Sequence, residues 1–351
     1  MNQPEKVCRW GVLGAASIAR KNVRAMHLAE NAHPLAIASR DLAKATAFAS
    51  EHRVDRAYGS YEALLEDPDV DAVYIPLPTT LHREWTIRAA AAGKHVLCEK
   101  PVAPNASDVE AMIEACRDAG VQFMDGVMFM HHARMQLLKS RLPDIGKEPN
   151  LITSAFSFRG DDSFFAQDIR GDVSTEPLGC VGDLAWYSVR IILETMDAMP
   201  DAVRARHHRL HNGVPIHTSA EMDFSGVDED RHAFLSCSFV HPLRQWVEIC
   251  GPTGTMRMDD FVIGSPTEAC LHLETESRLT EKDLIHERQI ERLVTPDCIQ
   301  EVEMMRTFSE IARGATPLQP GWGAMSHSTQ KVIDAIMNSA SADGKSVTIP
   351  N

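Results

Sequence analysis

The first 125 residues alternate short apolar runs with helical patterns, and no other feature restricts the fold of this chain so tightly. Residues 7–13 read as a buried strand and 18–28 as an amphipathic helix, with Ser17 at the expected N-cap. A second strand spans 35–39, and 43–49 lies in a second helix. Residues 72–75 form another strand, stopped by Pro76 and Pro78. The helix over 79–92 ends at Gly93, as helices commonly do. Then come a strand at 95–98, a helix over 107–119 ending at Gly120, and a strand at 121–124. Strands and helices that alternate through short connections build a parallel sheet wound on both faces.

From about Leu151 the rhythm changes. Segments 152–158, 203–210, 220–224, 233–239, 246–250 and 269–274 look like strands, with turn residues at 228–230 and 251–254. Strands in succession favour an antiparallel sheet with one open face. A helix over 181–194 precedes most of them, and helices at 300–313 and 324–339 close the chain. The expected division is a dinucleotide-binding domain over 1–127 and an α+β domain over 128–351, the fold class being α/β overall. Few helices follow residue 200, so the second sheet is expected to keep an apolar face uncovered. Such a face implies a homodimer or a higher homo-oligomer.

Charge narrows the partners. Lys and Arg number 35 against 49 Asp and Glu, a formal net charge of −14 with no basic block. That balance repels nucleic-acid phosphates and anionic lipid, and leaves a small molecule as the expected partner. No run approaches the ~18 apolar residues that cross a bilayer. Residues 1–6 are polar and lead straight into the first strand, which reads as no secretory signal. The eight cysteines are scattered without a C-x-x-C, which argues against a zinc ribbon or disulfide scaffold. The expected location is the cytoplasm.

The first strand ends in Gly11-Val12-Leu13-Gly14-Ala15-Ala16-Ser17-Ile18-Ala19. Aligned on G-x-G-x-x-A, Gly14 makes the turn, Ala16 holds the middle position and Ala19 the close-packing one. Ala16 adds a methyl group where the backbone of a nucleotide fold approaches the pyrophosphate, so a plain structural turn competes with a phosphate cradle. Position favours the cradle, because the motif follows the first strand and opens the first helix. The second strand closes on Ser39-Arg40, where an NAD enzyme usually offers a carboxylate to the ribose. Arg40 and Lys44 fall four apart. In a helix they would repel mildly unless an anion such as a 2′-phosphate bridged them, or unless Asp41 eased them as a solvated pair. The expected cofactor is therefore NADP(H) over NAD(H).

The most informative stretch is Tyr74-Ile75-Pro76-Leu77-Pro78-Thr79-Thr80-Leu81-His82 with His95-Val96-Leu97-Cys98-Glu99-Lys100-Pro101. Glu99 and Lys100 end a buried strand beside the crevice where such sheets bind ligands. A lysine there, near a cationic nicotinamide, could polarise or deprotonate a substrate hydroxyl; a plain surface lysine is the alternative.

Taken together, these motifs resemble the glucose–fructose oxidoreductase, inositol dehydrogenase and rhizopine-catabolism (Gfo/Idh/MocA) family. The resemblance spans nearly the whole chain: the fingerprint turn, Ala38-Ser39-Arg40, Tyr61–Leu65, Pro78-x-x-x-His82, Ala92–His95 and Glu99-Lys100-Pro101. It continues through Gly179-x-x-x-Asp183-x-x-x-Tyr187 and Gly251-x-x-Gly254-Thr255. It looks most like the branch of dimeric dihydrodiol dehydrogenases and NADP-dependent xylose dehydrogenases. The resemblance implies a Rossmann domain joined to an α+β domain, and hydride transfer between nicotinamide and a secondary alcohol or hemiacetal carbon.

It implies Lys100, Asp183 and Tyr187 as catalytic, Tyr187 standing where the family usually has His. It also implies a cofactor surface of Gly14, Ala16, Ser17, Ile18, Ser39, Arg40, Lys44, Pro76, Leu77, Pro78, His82, Glu99 and Lys100. Substrate would meet Lys100, Phe158, Arg170, Asp183 and Tyr187. Two other readings are a nicotinamide-binding redox sensor without turnover and a lyase or glycosidase-like enzyme that uses the cofactor transiently. His207-His208-x-x-His211 suggests a metal site, but in a strand residues four apart stand roughly 13 Å from one another, so no metal is expected.

Overall fold

The computed structural model describes residues 7–146, 148–225, 231–280 and 285–349. It divides into two units, one running to His131 and including 299–330, the other made of His132–Cys298 and the chain from Lys331 on.

In the first unit β1 (Cys8–Leu13), β2 (Ala32–Ala38), β3 (Arg56–Tyr58), β4 (Ala72–Ile75), β5 (His95–Cys98) and β6 (Phe123–Asp125) make one parallel sheet. Their order is β3-β2-β1-β4-β5-β6. The connections carry α1 (Ser17–Leu28), α2 (Leu42–His52), α3 (Tyr61–Leu65), α4 (Thr79–Ala91) and α5 (Ala106–Asp118). Helices cover both faces, which is why all four residues of β4 are apolar and buried. The order reverses between β1 and β4, so the loops leaving β1, β4 and β5 open on a common crevice at the strand ends.

The second unit contains α6 (Ala133–Arg141), β7 (Leu151–Arg159), α7 (Asp162–Gln167), α8 (Trp186–Met196), β8 (Ala202–His211), β9 (Val214–Phe224), β10 (Arg231–Ser238) and β11 (Val240–Gly251). It adds β12 (Gly254–Met258), β13 (Cys270–Thr280), β14 (Ile285–Val294) and, near the chain end, β15 (Val347–Thr348). The sheet runs β14-β13-β12-β11-β7-β10-β9-β8-β15, antiparallel throughout except where β7 pairs with β10. Strands β12, β14 and β15 lie outside the expected set, being short or rich in charge. The expected turn at 251–254 joins β11 to β12; that at 228–230 lies outside the described residues. His132 is the α6 N-cap, its Nδ1 accepting from the Arg134 N–H at 3.0 Å.

Helix α8 lies against this sheet, with Trp186, Val189, Ile191 and Ile192 fully buried and the Ser154 and Ser188 hydroxyls 2.9 Å apart. The opposite face corrects the expectation of an apolar surface. Register places Arg204, Glu221, Phe234, Thr153, Glu248 and Arg257 in one row across six strands. Alternation puts most of the apolar residues inward and this row, polar except for Phe234, outward. The Arg204–Asp223 pair at 2.8 Å charges the face further. Aromatic relief comes from Phe234, 40% exposed, and from Trp246 under the Arg257 guanidinium at 5.1 Å.

Two helices close the chain, α9 (Gln300–Ala312) and α10 (Pro320–Ser341). A boundary at 127/128 would leave α9 with the second domain, yet it belongs to the first unit. Val302, Met305 and Phe308 share a core with Trp10, Val12 and Met26, and the Trp10 indole N–H donates to Ser309 Oγ at 3.0 Å. A buried indole needs both an apolar wall and an acceptor, and α9 supplies each. Among the described residues, no helix is long and apolar enough to cross a membrane. All eight cysteines are free thiols.

Candidate active site

At the end of β1, Gly14 takes φ +119°, a conformation that disfavours any side chain, and a Cβ there would stand 3.1 Å from Leu77 Cδ2. Ala16, not Ser17, is the N-cap of α1: its backbone is extended, no side chain caps the helix, and its first turn holds no acid. The N–H groups of Ser17 and Ile18 are therefore presented to an incoming anion. Ala19 is fully buried, as the close-packing position requires. A glycine turn beside a helix start without a side-chain cap fits a dinucleotide pyrophosphate.

After β2, Arg40 lies outside α2, so the helical four-residue spacing expected for Arg40 and Lys44 does not apply. Asp41 caps that helix, accepting from the N–H groups of Ala43 at 2.9 Å and Lys44 at 3.4 Å. Its own N–H donates to Ser39 Oγ at 3.3 Å. Arg40 is exposed and bonds the Tyr61 hydroxyl; burial raises the Tyr61 pKa above its ordinary value and Arg40 pulls it back. That hydroxyl lies 3.9 Å from where a Gly14 Cβ would be. Arg40, Tyr61 and Gly14 thus line one end of the crevice. Tyr61 enters the sequence reading only through its motif and carries no separate signal there.

After β4, Pro78 is the N-cap of α4, and Leu77 packs over Gly14. His82 is 1% exposed. Its Nε2 lies 2.7 Å from the Leu77 carbonyl oxygen, and its Nδ1 lies 3.0 and 3.1 Å from those of Pro101 and Val102. Burial pushes its pKa below the ordinary value, although the carbonyls pull the other way. The enclosed ring is a brace between two crevice loops, which corrects its expected place on the cofactor surface. After β5, Glu99 and Lys100 are half-buried, and the Lys100 N–H donates to Glu99 Oε2 at 3.2 Å.

In the second unit, Asp183 sits in a π-helical turn, Val181–Ala185, that opens into α8. Such turns recur at functional sites. Arg170 Nε donates to Asp183 Oδ2 at 3.0 Å, and its Nη1 reaches Asp168 Oδ2 at 3.2 Å. Asp183 first, then Asp168, raise the Arg170 pKa above its ordinary value, and Tyr187 contributes. Tyr187 is 5% exposed, edge-on to Phe156 at 5.6 Å. Asp183, Tyr187 and Arg170 are thus brought together. Phe158 packs instead with Phe164 and Phe239 at 5.4 and 5.1 Å. His207 faces buried Thr218 and His208 faces Ser219 on the other side, so neighbouring imidazoles point apart.

A family model described as an oxidoreductase family with an NAD-binding Rossmann fold matches residues 8–127. The D-xylose 1-dehydrogenase (NADP(+)) 2 of Haloferax volcanii is 35% identical, over 87% of this chain and 97% of its own length. The chain belongs to the Gfo/Idh/MocA oxidoreductase family. The trans-1,2-dihydrobenzene-1,2-diol dehydrogenase of Xenopus laevis is 30% identical over 75% of this chain and 78% of its own. A crystallised 3-ketoreductase of Actinomadura kijaniata, in complex with NADP and TDP-benzene, superposes with a TM-score of 0.81 at 26% identity. That match covers 95% of this chain and 98% of the other. As a Gfo/Idh/MocA member the protein is an oxidoreductase.

Proposed function

We propose that this oxidoreductase uses NADP(H) to interconvert a secondary alcohol or hemiacetal carbon of a sugar, polyol or cyclic diol with its carbonyl form. One observation carries the cofactor choice. Asp41, the carboxylate nearest the end of β2, is committed to the α2 cap, while Arg40 stands exposed beside Tyr61. The NADP named for the Haloferax and Actinomadura proteins supports the same reading, as do the xylose and diol substrates of the relatives.

The cofactor, when bound, supplies the hydride chemistry. Gly14, Ala16, Ser17 and Ile18 would hold the pyrophosphate, and Ser39, Arg40 and Lys44 the 2′-phosphate. Pro76, Leu77 and Pro78 would flank the nicotinamide end together with Glu99 and Lys100. Tyr187 would carry the proton of the reacting oxygen, with Lys100 donating to that oxygen. Asp183, held by Arg170, would orient a neighbouring hydroxyl. The test is a panel of aldoses, polyols and cyclic diols with each nicotinamide cofactor, followed by reduced-cofactor absorbance. Turnover with at least one substrate, faster with NADP, is expected. Product without change in reduced cofactor, or tight cofactor binding with no turnover, would overturn the reading.

Association with a second copy through the outward sheet face, in the cytoplasm, belongs to this reading. Phe234 and Trp246 would anchor that contact among paired charges. Light scattering should return at least twice the 38.8 kDa of one chain; one copy's mass at micromolar protein contradicts it.

A further inference from the structure

Behind Lys100 lies a buried polar chain within the first unit. Asn22 on α1 is 2% exposed and Tyr74 on β4 is fully buried. Asn22 Nδ2 donates to the Tyr74 oxygen at 2.6 Å, and the Tyr74 hydroxyl donates to Glu99 Oε1 at 2.7 Å. Asn22 also reaches Glu99 Oε1 at 3.4 Å. The other carboxylate oxygen, Oε2, accepts the Lys100 N–H at 3.2 Å. Gly126 leaves space for this carboxylate, since a Cβ there would come within 3.2 Å of Oε1. Donors in series polarise one another and strengthen the last bond, here the one to the charged group.

We infer that Asn22 and Tyr74 are positioning residues for the reaction: they lock the Glu99 carboxylate onto the backbone of Lys100 and keep it from pairing with the Lys100 ammonium. The inference rests on the reading of Lys100 as a catalytic group. Other titratable groups facing Glu99 are Tyr74 on β4, Cys98 on β5 and His82 on α4. Burial pushes the Tyr74 hydroxyl and the Cys98 thiol well above their ordinary values and His82 below its own. In each case burial disfavours the charged form, and Tyr74 stays a donor.

Tyr74→Phe removes the hydroxyl at nearly constant volume. The freed carboxylate turns to the adjacent ammonium and favours its charged form, so the basic limb of the pH–kcat profile moves up by about half to one unit. With a hydrogen bond to a charged group lost, kcat falls about tenfold while KM stays within about twofold. Glu99→Gln removes the charge that Tyr74 controls, so adding Tyr74→Phe to it shifts the limb no further. Should Tyr74→Phe not fold, Asn22→Ser reads the same limb with a smaller shift in the same direction. A limb unmoved by these variants, where Lys100→Met is inactive, overturns the inference. Normal turnover in Lys100→Met overturns the underlying reading instead.

Discussion

Tyr187→Phe is expected to keep the fold and the affinity for cofactor and to lower turnover by about 10²–10⁴, the usual worth of a positioned proton carrier. The substitution removes only an oxygen, and the ring's edge-on packing against Phe156 at 5.6 Å survives it. Lys100→Met should cost at least as much, since it removes a charge as well as a donor. Both variants should still unfold cooperatively at denaturant midpoints near that of the parent, because Phe keeps the buried ring of Tyr187 and Lys100 is only half-buried. The measurement is steady-state turnover beside a cofactor titration. Normal turnover in Tyr187→Phe, with Lys100→Met inactive, would move the proton to another group. His82 is a poor successor, enclosed as it is between the carbonyls of Leu77, Pro101 and Val102.

The second large effect concerns the cofactor's phosphate. Arg40→Ala should weaken NADP(H) binding by roughly ten- to a hundredfold and leave NAD(H) nearly unchanged, as expected for one charge-assisted contact of about 1.5–3 kcal/mol. Salt should weaken the parent's NADP(H) binding more than its NAD(H) binding, since the extra contact lies at an exposed site. Equal affinity of the parent for the two cofactors would contradict the assignment. The expectation is sharpened by Asp41: its carboxylate already accepts from Ala43 and Lys44, and turning it toward a ribose would uncap α2.

Much of this was legible in the residues because local rules and the fold agree. The period of the apolar runs exposes β4 and β5, and Pro76 and Gly93 punctuate them as expected. Gly14 is required by its own backbone angle, so its place in the motif identifies it. What stayed hidden depends on contacts distant in sequence. Nothing near Gln300 says that α9 returns to Trp10, nearly 300 residues earlier. The outward face of the second sheet was misjudged because counting helices ignores alternation, which places Arg204, Glu221 and Glu248 on that side. Asn22 did leave a trace, a polar residue on the apolar side of α1 beside Ala19, Val23 and Met26. Tyr74 left none, since a tyrosine in an apolar strand looks like core.

Hydride transfer itself is the central claim, and isotope placement tests it most directly. A substrate from the panel, deuterated at the carbon that is oxidised, is incubated with the protein and NADP, and the recovered cofactor is weighed by mass spectrometry. The account predicts one deuterium in the reduced cofactor for each product formed. Product with an unlabelled cofactor, or with the label returned to the product, would contradict it.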